Sequence, residues 1–314
     1  MKKFLLPILF LFVLILGACN SQSTDTKTSK ESNAGKESNA GKEEATTITY
    51  QSEEGPIEVP ADPQRVVVVS SFAGNVAALG VNLVGVDSWS KKNPRYDSFL
   101  KDVEEVSDEN LEKIIELDPD LIIGLSSVQN LDKLKEIAPT VTFTYGKVDY
   151  LTQHLEIGKL LNKEKEAQDW INDFKKRTKS AGEEIKAAIG EDATVSVIEN
   201  FDKQLYVYGN NWGRGTEILY QAMGLKMPKK VEETALAPGY YALSLEVLPE
   251  FAGDYVILSK SAATDNSFQD TETYKNIPAV KNNRVFEATM EEFYFNDPLT
   301  LDYQLEFFKE NFIN

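Results

Sequence analysis

From Phe4 to Leu16 every residue is apolar, and from Asn20 to Thr47 almost none is. Beyond that point apolar residues recur with strand or helix periods to the end of the chain. Ile48-Thr49-Tyr50 opens the ordered region, and Ile57-Glu58-Val59-Pro60 alternates like an edge strand or hairpin arm. Arg65-Val66-Val67-Val68-Val69 is apolar on both faces, which predicts a buried parallel strand. Phe72-Ala73-Gly74 predicts a turn, Ala77 to Leu79 a short helix stopped by Gly80, and Leu83-Val84-Gly85-Val86 the next strand. Strand, helix, strand in this order predicts an α/β fold with right-handed crossovers. One long amphipathic helix is predicted between Lys163 and Gly190. Ala167, Trp170, Ile171, Phe174, Ala181, Ile185 and Ala188 recur at three- and four-residue spacing, and Gly182 costs the helix some stability. With α/β patterns on both sides, this helix reads as a spacer between two lobes.

The first apolar run changes the picture of where the chain works. Lys2-Lys3, 13 apolar residues and small residues before Cys19 make a secretory signal peptide, too short to span a bilayer. Leu16-Gly17-Ala18-Cys19 resembles a bacterial lipobox. That implies a lipidated Cys19 (palmitate among the acyl chains) as the mature N-terminus, at the extracellular face of the cell membrane. The alternative is an ordinary signal peptide with an incidental cysteine. Cys19 is the only cysteine, so no disulfide forms. The polar stretch repeats Lys-Glu-Ser-Asn-Ala-Gly at 30–35 and 36–41, a composition that cannot bury enough surface to fold and serves as a tether. The expected divisions are 1–18 leader, 19–47 lipidated cysteine and tether, 48–162 first lobe, 163–190 linking helix and 191–314 second lobe. Net charge is −17, and −19 without Lys2 and Lys3, which disfavours nucleic acid and anionic lipid.

The two flanks of the long helix echo each other. Leu111-Glu112 precedes Pro119-Asp120-Leu121-Ile122-Ile123, and Leu245-Glu246 precedes Asp254-Tyr255-Val256-Ile257-Leu258; in both, the Asp lies eight residues after the Glu. Ala138-Pro139 and Ile277-Pro278 follow, then Val141-Thr142-Phe143 and Arg284-Val285-Phe286. Each block predicts helix, turn, strand, loop, strand. The bland alternative is two generic α/β units. Two similar lobes would enclose a cleft lined by the loops after the strands. Those loops are expected to hold Ser70, Ser71, Phe72, Trp89, Leu125, Ser126 and Tyr145, and in the second lobe Tyr206, Tyr208, Trp212, Arg214 and Phe293-Tyr294-Phe295.

The candidate chemistry points to binding and not to catalysis. His154 is the only histidine and falls in a helical pattern, where a surface or satisfied residue is expected and not a general base. There is no nucleophile elbow, phosphate-cradling loop, zinc cluster or calcium-loop spacing. No direct metal ligand set is expected, although tyrosine ligation of ferric ion stays open. Tyr206-Val207-Tyr208-Gly209-Asn210-Asn211-Trp212-Gly213-Arg214-Gly215 is the best binding segment. Its aromatics give flat apolar faces, its arginine a fork of donors, and its glycines room for a ligand to approach the backbone. This suits a bulky, oxygen-rich ligand whose metal is already coordinated. Trp212 as core and Arg214 as a surface residue is the competing reading.

Leader, tether, two α/β lobes and a joining helix together resemble the solute-binding lipoproteins of iron-siderophore ABC importers. Residues 206–227, Glu191 to Ser196 and Asn296 to Asp302 are especially similar to the ferric-hydroxamate binders, the FhuD type of Gram-positive bacteria. The resemblance implies a rigid, helix-linked binding protein with little hinge closure, no enzyme activity and no cofactor beyond a preformed Fe(III)-siderophore as cargo. It implies that Trp212 and Arg214 contact the iron-hydroxamate centre and that Tyr206, Tyr145 and Tyr294 line the walls. It implies that Glu112 and Glu246, one per lobe, dock onto the ABC permease subunits. Leu125 and Tyr294 depart from the family pattern, where Tyr and Trp are common, and Trp89 is the candidate to stand in for the missing ring. The cargo alternatives are ferric citrate, a ferric catecholate or a corrinoid, and outside transport a surface adhesin or hydrolase. A shuttle needs only a monomer.

Overall fold

The computed structural model describes residues 46–313. The leader, Cys19, the hexapeptide repeat and nearly all of the tether lie outside them. Among the described residues no helix is long and apolar enough to cross a membrane.

The chain enters through a hairpin, β1 (Thr47–Ser52) antiparallel to β2 (Gly55–Pro60). Pro56 and Pro60 sit at the ends of the second arm, where a missing N–H costs least. Tyr50 is buried in the first-lobe core. Glu53, at the hairpin tip, accepts hydrogen bonds from the Thr144 backbone N–H (3.1 Å) and hydroxyl (2.8 Å) and pairs with Lys147.

The first lobe is a five-stranded sheet in the order β5-β4-β3-β6-β7: β3 (Val66–Val68), β4 (Leu83–Val86), β5 (Glu104–Glu105), β6 (Leu121–Leu125) and β7 (Thr140–Phe143). All its pairings are parallel. Helices therefore cover both faces, and β3 is buried on each side, as its unbroken valines require. The second sheet has the order β10-β9-β8-β11-β12: β8 (Val195–Phe201), β9 (Gln204–Tyr208), β10 (Tyr240–Leu243), β11 (Tyr255–Lys260) and β12 (Val285–Thr289). Here β8, β11 and β12 run parallel, while β9 and β10 are antiparallel neighbours. The two lobes thus share three parallel strands and differ in the other two.

The echo in the sequence has a structural counterpart. Asp120, just before β6, accepts from the backbone N–H groups of Gln64 (2.6 Å) and Arg65 (3.0 Å), at the entry of β3. Asp254, just before β11, accepts from the Thr194 N–H and hydroxyl (both 2.9 Å), at the entry of β8. Each aspartate fastens its strand to the central strand of its own sheet. Two local expectations are corrected. Phe72-Ala73-Gly74 is not a free turn, because a helix runs Ala73–Ala78 with Phe72 as its N-cap. The expected loops between the paired strands are helical crossovers, Leu131–Ile137 in one lobe and Glu272–Lys275 with Pro278–Lys281 in the other. These helices are short, so they carry little period.

The linking helix spans Glu164–Ile189 and ends at Gly190, whose φ of +103° suits glycine. Its buried face is Ala167, Ile171, Phe174, Thr178, Ala181, Gly182 and Ile185. Thr178 belongs there because its hydroxyl donates to the Phe174 carbonyl at 2.8 Å. Ala188, expected on this face, is exposed in the last turn. Gly182 has a packing reason: a Cβ there would lie 2.6 Å from the Met223 carbonyl oxygen. A second tie joins the lobes. Phe295, from the second half of the chain, is buried in the first-lobe core and stacks on Tyr96 at 5.8 Å. Asp297 caps the final helix, Pro298–Ile313, and accepts from the Tyr96 hydroxyl.

His154 is buried and satisfied: its Nδ1 meets the Asn75 side-chain oxygen at 3.0 Å, and its ring packs edge-on against Trp170. Burial pushes its pKa down from 6.5 to about 4. The unfolded chain therefore takes up this proton first. Stability from the neutral ring is complete above pH 6.5 and is lost as pH falls toward 4, by roughly 3 kcal/mol. Glu217 and Asp297, buried carboxyls held above their ordinary values, act in the opposite sense at low pH. The test is thus a difference: urea midpoints of wild type should fall more steeply between pH 6.5 and 4 than those of His154→Gln. Parallel slopes would count against this assignment.

Candidate binding cleft

The segment after β9 makes an unusual turn. Gly213 (φ +69°), Arg214 (φ +57°) and Gly215 (φ +82°) are all left-handed. For the arginine this conformation costs on the order of 1 kcal/mol. Hydrogen bonds hold it: Arg214 N–H donates to the Phe293 carbonyl (2.7 Å) and Trp212 N–H to the Thr216 hydroxyl (3.2 Å). The glycines do not make room for a ligand, as their flanking positions suggested. A Cβ on Gly213 would strike the Tyr294 carbonyl, and one on Gly215 the Phe308 ring. Their bareness lets the protein close around the arginine.

Arg214 is 7% exposed, and its partner is Glu199, which is 0% exposed. Nε and Nη2 both donate to the Glu199 carboxylate (3.1–3.3 Å), and Nη1 donates to the Trp212 carbonyl at 3.1 Å. Glu199 also accepts from the Tyr208 hydroxyl (2.8 Å) and the Ser259 hydroxyl (2.7 Å). Burial opposes the guanidinium charge, but the adjacent carboxylate outweighs it and holds Arg214 above its ordinary pKa. An arginine has five N–H donors. Three are engaged, and one each on Nη1 and Nη2 remain at the tip of the fork.

Aromatic rings sandwich this group. The guanidinium lies 4.2 Å from the Tyr294 centroid and 4.9 Å from that of Tyr208. Tyr294 stacks in turn on Trp89 of the first lobe, 4.6 Å away and tilted by 13°, and Phe201 touches the same Trp89 at 6.0 Å. Trp89, Tyr294, Arg214 and Tyr208 thus form one column that crosses between the lobes. A second strip runs Tyr206, Tyr240, Trp212, Tyr145, with successive centroids 5.9, 5.0 and 5.4 Å apart. Tyr145 also bridges the lobes, its hydroxyl donating to the Asn211 carbonyl at 3.1 Å.

The structure therefore brings Trp212, Arg214, Tyr206, Tyr145, Tyr294 and Trp89 together in the cleft, while Tyr208, 4% exposed, is a core residue packed against Arg214. Tyr206 and Tyr208 project from strand β9 and not from a loop after it. Phe72 is only 5% exposed and packs edge-on against Phe143, so it is mainly core with one edge on a cavity. The alternative of a core Trp212 and a surface Arg214 is reversed: the tryptophan is half-buried and the arginine buried. Glu199, Phe201 and Tyr240 were not anticipated, and Asn211 was named only as part of the binding segment. For Glu199 a signal existed, a single acid directly after the strand pattern Val195-Ser196-Val197-Ile198, which needs a partner if buried. Glu112 lies exposed in the first turn of the helix Leu111–Glu116, and Glu246 lies exposed in the turn before Leu248–Phe251. Hydrogen bonds from Ser244 and its own backbone N–H hold the Glu246 carboxyl below its usual range. Among the described residues no group of three or more His, Cys, Asp or Glu could hold a metal ion.

Two α/β lobes, a long joining helix and an inter-lobe cleft of aromatic rings around one donor fork define a helix-linked solute-binding protein. The chain belongs to the periplasmic binding protein family, whose profile matches residues 66–291. It is 38% identical over 308 residues to the iron(3+)-hydroxamate-binding protein FhuD of Bacillus subtilis, covering 96% of this chain and 94% of that one. Among solved structures it is similar to the FhuD protein of S. pseudintermedius, with TM-score 0.78 and 37% identity over 86% of this chain and 99% of that one. It is similar also to Staphylococcus aureus FhuD2 with bound ferrioxamine B, with TM-score 0.77 and 36% identity over 80% and 98% of the two chains.

Proposed function

We propose that this protein captures ferric hydroxamate siderophores outside the cell and delivers them to an ABC permease for iron uptake. The observation that carries the cargo class is the pairing of Arg214 with Glu199. The site offers two N–H donors and aromatic faces, yet little net charge. That suits a ferric trihydroxamate, in which three singly charged hydroxamates cancel the charge of the iron. Ferric citrate and catecholate complexes are anionic and would need several unpaired cations. Burial of ligand methylenes on the rings supplies most of the affinity, at about 0.8 kcal/mol per buried CH₂. The Arg214 fork orients the hydroxamate oxygens.

Iron arrives as a preformed complex, so no resident cofactor is required. A lipidated Cys19 would hold the protein at the extracellular face of the membrane, with residues 20–47 as its tether, and the shuttle works as a monomer. Glu112 and Glu246 dock it onto the two permease subunits.

Tryptophan fluorescence tests the cargo. Trp89 and Trp212 line the cleft. Titration of the soluble domain with ferric hydroxamates should give strong, saturable quenching, with much weaker responses to ferric citrate, a ferric catecholate, a corrinoid or metal-free ligands. Quenching by one of those others instead would overturn the hydroxamate assignment.

A further inference from the structure

A cavity of ≈ 340 Å³ opens next to Tyr145. It shares Tyr145 and Asn211 with the cleft and is otherwise lined by Gln153, Glu217, Gln221 and Asn296, among others. Glu217 is 1% exposed and carries a carboxylate with no cation within pairing distance among the described residues. Its Oε1 is satisfied by the Gly213 N–H (3.0 Å) and the Asn296 amide (2.9 Å). Its Oε2 meets the Thr216 hydroxyl at 3.1 Å, a proton with a nearer acceptor in the Gly213 carbonyl at 2.8 Å, and the Glu217 backbone N–H adds a further contact to the carboxylate. The other charged groups on the cavity wall are engaged elsewhere. Lys147 pairs with Glu53 at 3.1 Å, and Asp149 caps the helix Tyr150–Leu160. Gln153 adds a buried amide nitrogen, Nε2, with no partner. An unpaired buried carboxylate is costly unless something positive reaches it. The cavity is therefore a wall of amides around one acid that lacks a cation and one donor that lacks an acceptor.

We propose that this cavity is a subsite for the protonated primary amine that ends a linear trihydroxamate siderophore, with the Glu217 carboxylate as its counter-charge and Gln153 donating to an amide carbonyl of the same chain. The inference rests on the hydroxamate reading above. Gly213, bonded to Glu217, lies between Trp212 and Arg214 in the chain, which puts the acid next to the arginine turn. Burial already holds the Glu217 carboxyl above its ordinary value, the direction expected of an acid waiting for a cation.

The test compares three ferric ligands on the wild-type soluble domain: a linear trihydroxamate with a free terminal amine, the same molecule N-acetylated, and a cyclic trihydroxamate without an amine. The amine form should bind about tenfold tighter than its acetylated twin. In Glu217→Gln that advantage should vanish, while affinity for the acetylated form stays within about twofold. Equal binding of the amine and acetylated forms to wild type overturns the subsite, and that comparison needs no variant to fold. So does an advantage that survives in folded Glu217→Gln. If none of the three ligands binds, the hydroxamate reading itself falls.

Discussion

Replacing Arg214 with alanine should weaken ferric-hydroxamate binding by at least about a hundredfold, because charge-assisted hydrogen bonds are worth about 1.5–3 kcal/mol each and two are removed. The same change should also destabilise the empty protein. Glu199 is fully buried, and without Arg214 it keeps only the hydroxyls of Tyr208 and Ser259. Removing one partner of a buried ion pair costs roughly 3–5 kcal/mol. Weak binding in Arg214→Ala could therefore reflect a loosened cleft and not a missing donor. The double variant Arg214→Met with Glu199→Gln separates the two. It removes both charges, keeps volume on the ring stack and leaves an acceptor for Tyr208. Chemical denaturation should show most of the stability restored, and titration should still show weak binding. A double variant that binds like wild type would remove Arg214 from ligand recognition.

The second large effect is expected in cells and not in the cuvette. Glu112→Ala combined with Glu246→Ala should cut siderophore-dependent iron uptake at least about tenfold while leaving ligand affinity unchanged, since under the proposed docking one charge at each of two points would steer the encounter with the permease and fix its register. Both glutamates are exposed and far from any buried network, so neither substitution should move the denaturation midpoint appreciably. Uptake at the wild-type rate, with normal surface levels of the protein, would end the docking assignment.

Much of the architecture was legible because its strands announce themselves. Val66 to Val68 and Leu121 to Leu125 are apolar on both faces, which a parallel sheet covered by helices demands and an exposed sheet does not tolerate. The linking helix was legible for the opposite reason, since 26 residues give its period room to repeat. Helices of four to seven residues, such as Leu131–Ile137 and Pro278–Lys281, do not span enough turns to show one. The aromatic and arginine members of the cleft stood out by type, while what holds them did not. Glu199 looks like a polar strand end until Arg214 folds back onto it, and nothing local to Gly213 or Gly215 reveals that Tyr294 and Phe308 take up their space. Such pairings between distant stretches of chain are set by topology, and a periodicity argument sees only neighbours.

The linking helix has a consequence for traffic at the membrane. It runs unbroken for 26 residues, roughly 39 Å, and its one internal glycine is wedged against Met223 where a swivel would need space. Phe295 and the Trp89–Tyr294 stack tie the lobes a second and third time. Under the proposed function, a receptor so braced would not announce its cargo by snapping shut. An empty copy would present the same two acids to the permease as a full one and would occupy it as readily. Uptake would then depend on the ratio of loaded to vacant receptors, and overproducing the protein at low siderophore should slow iron entry rather than speed it.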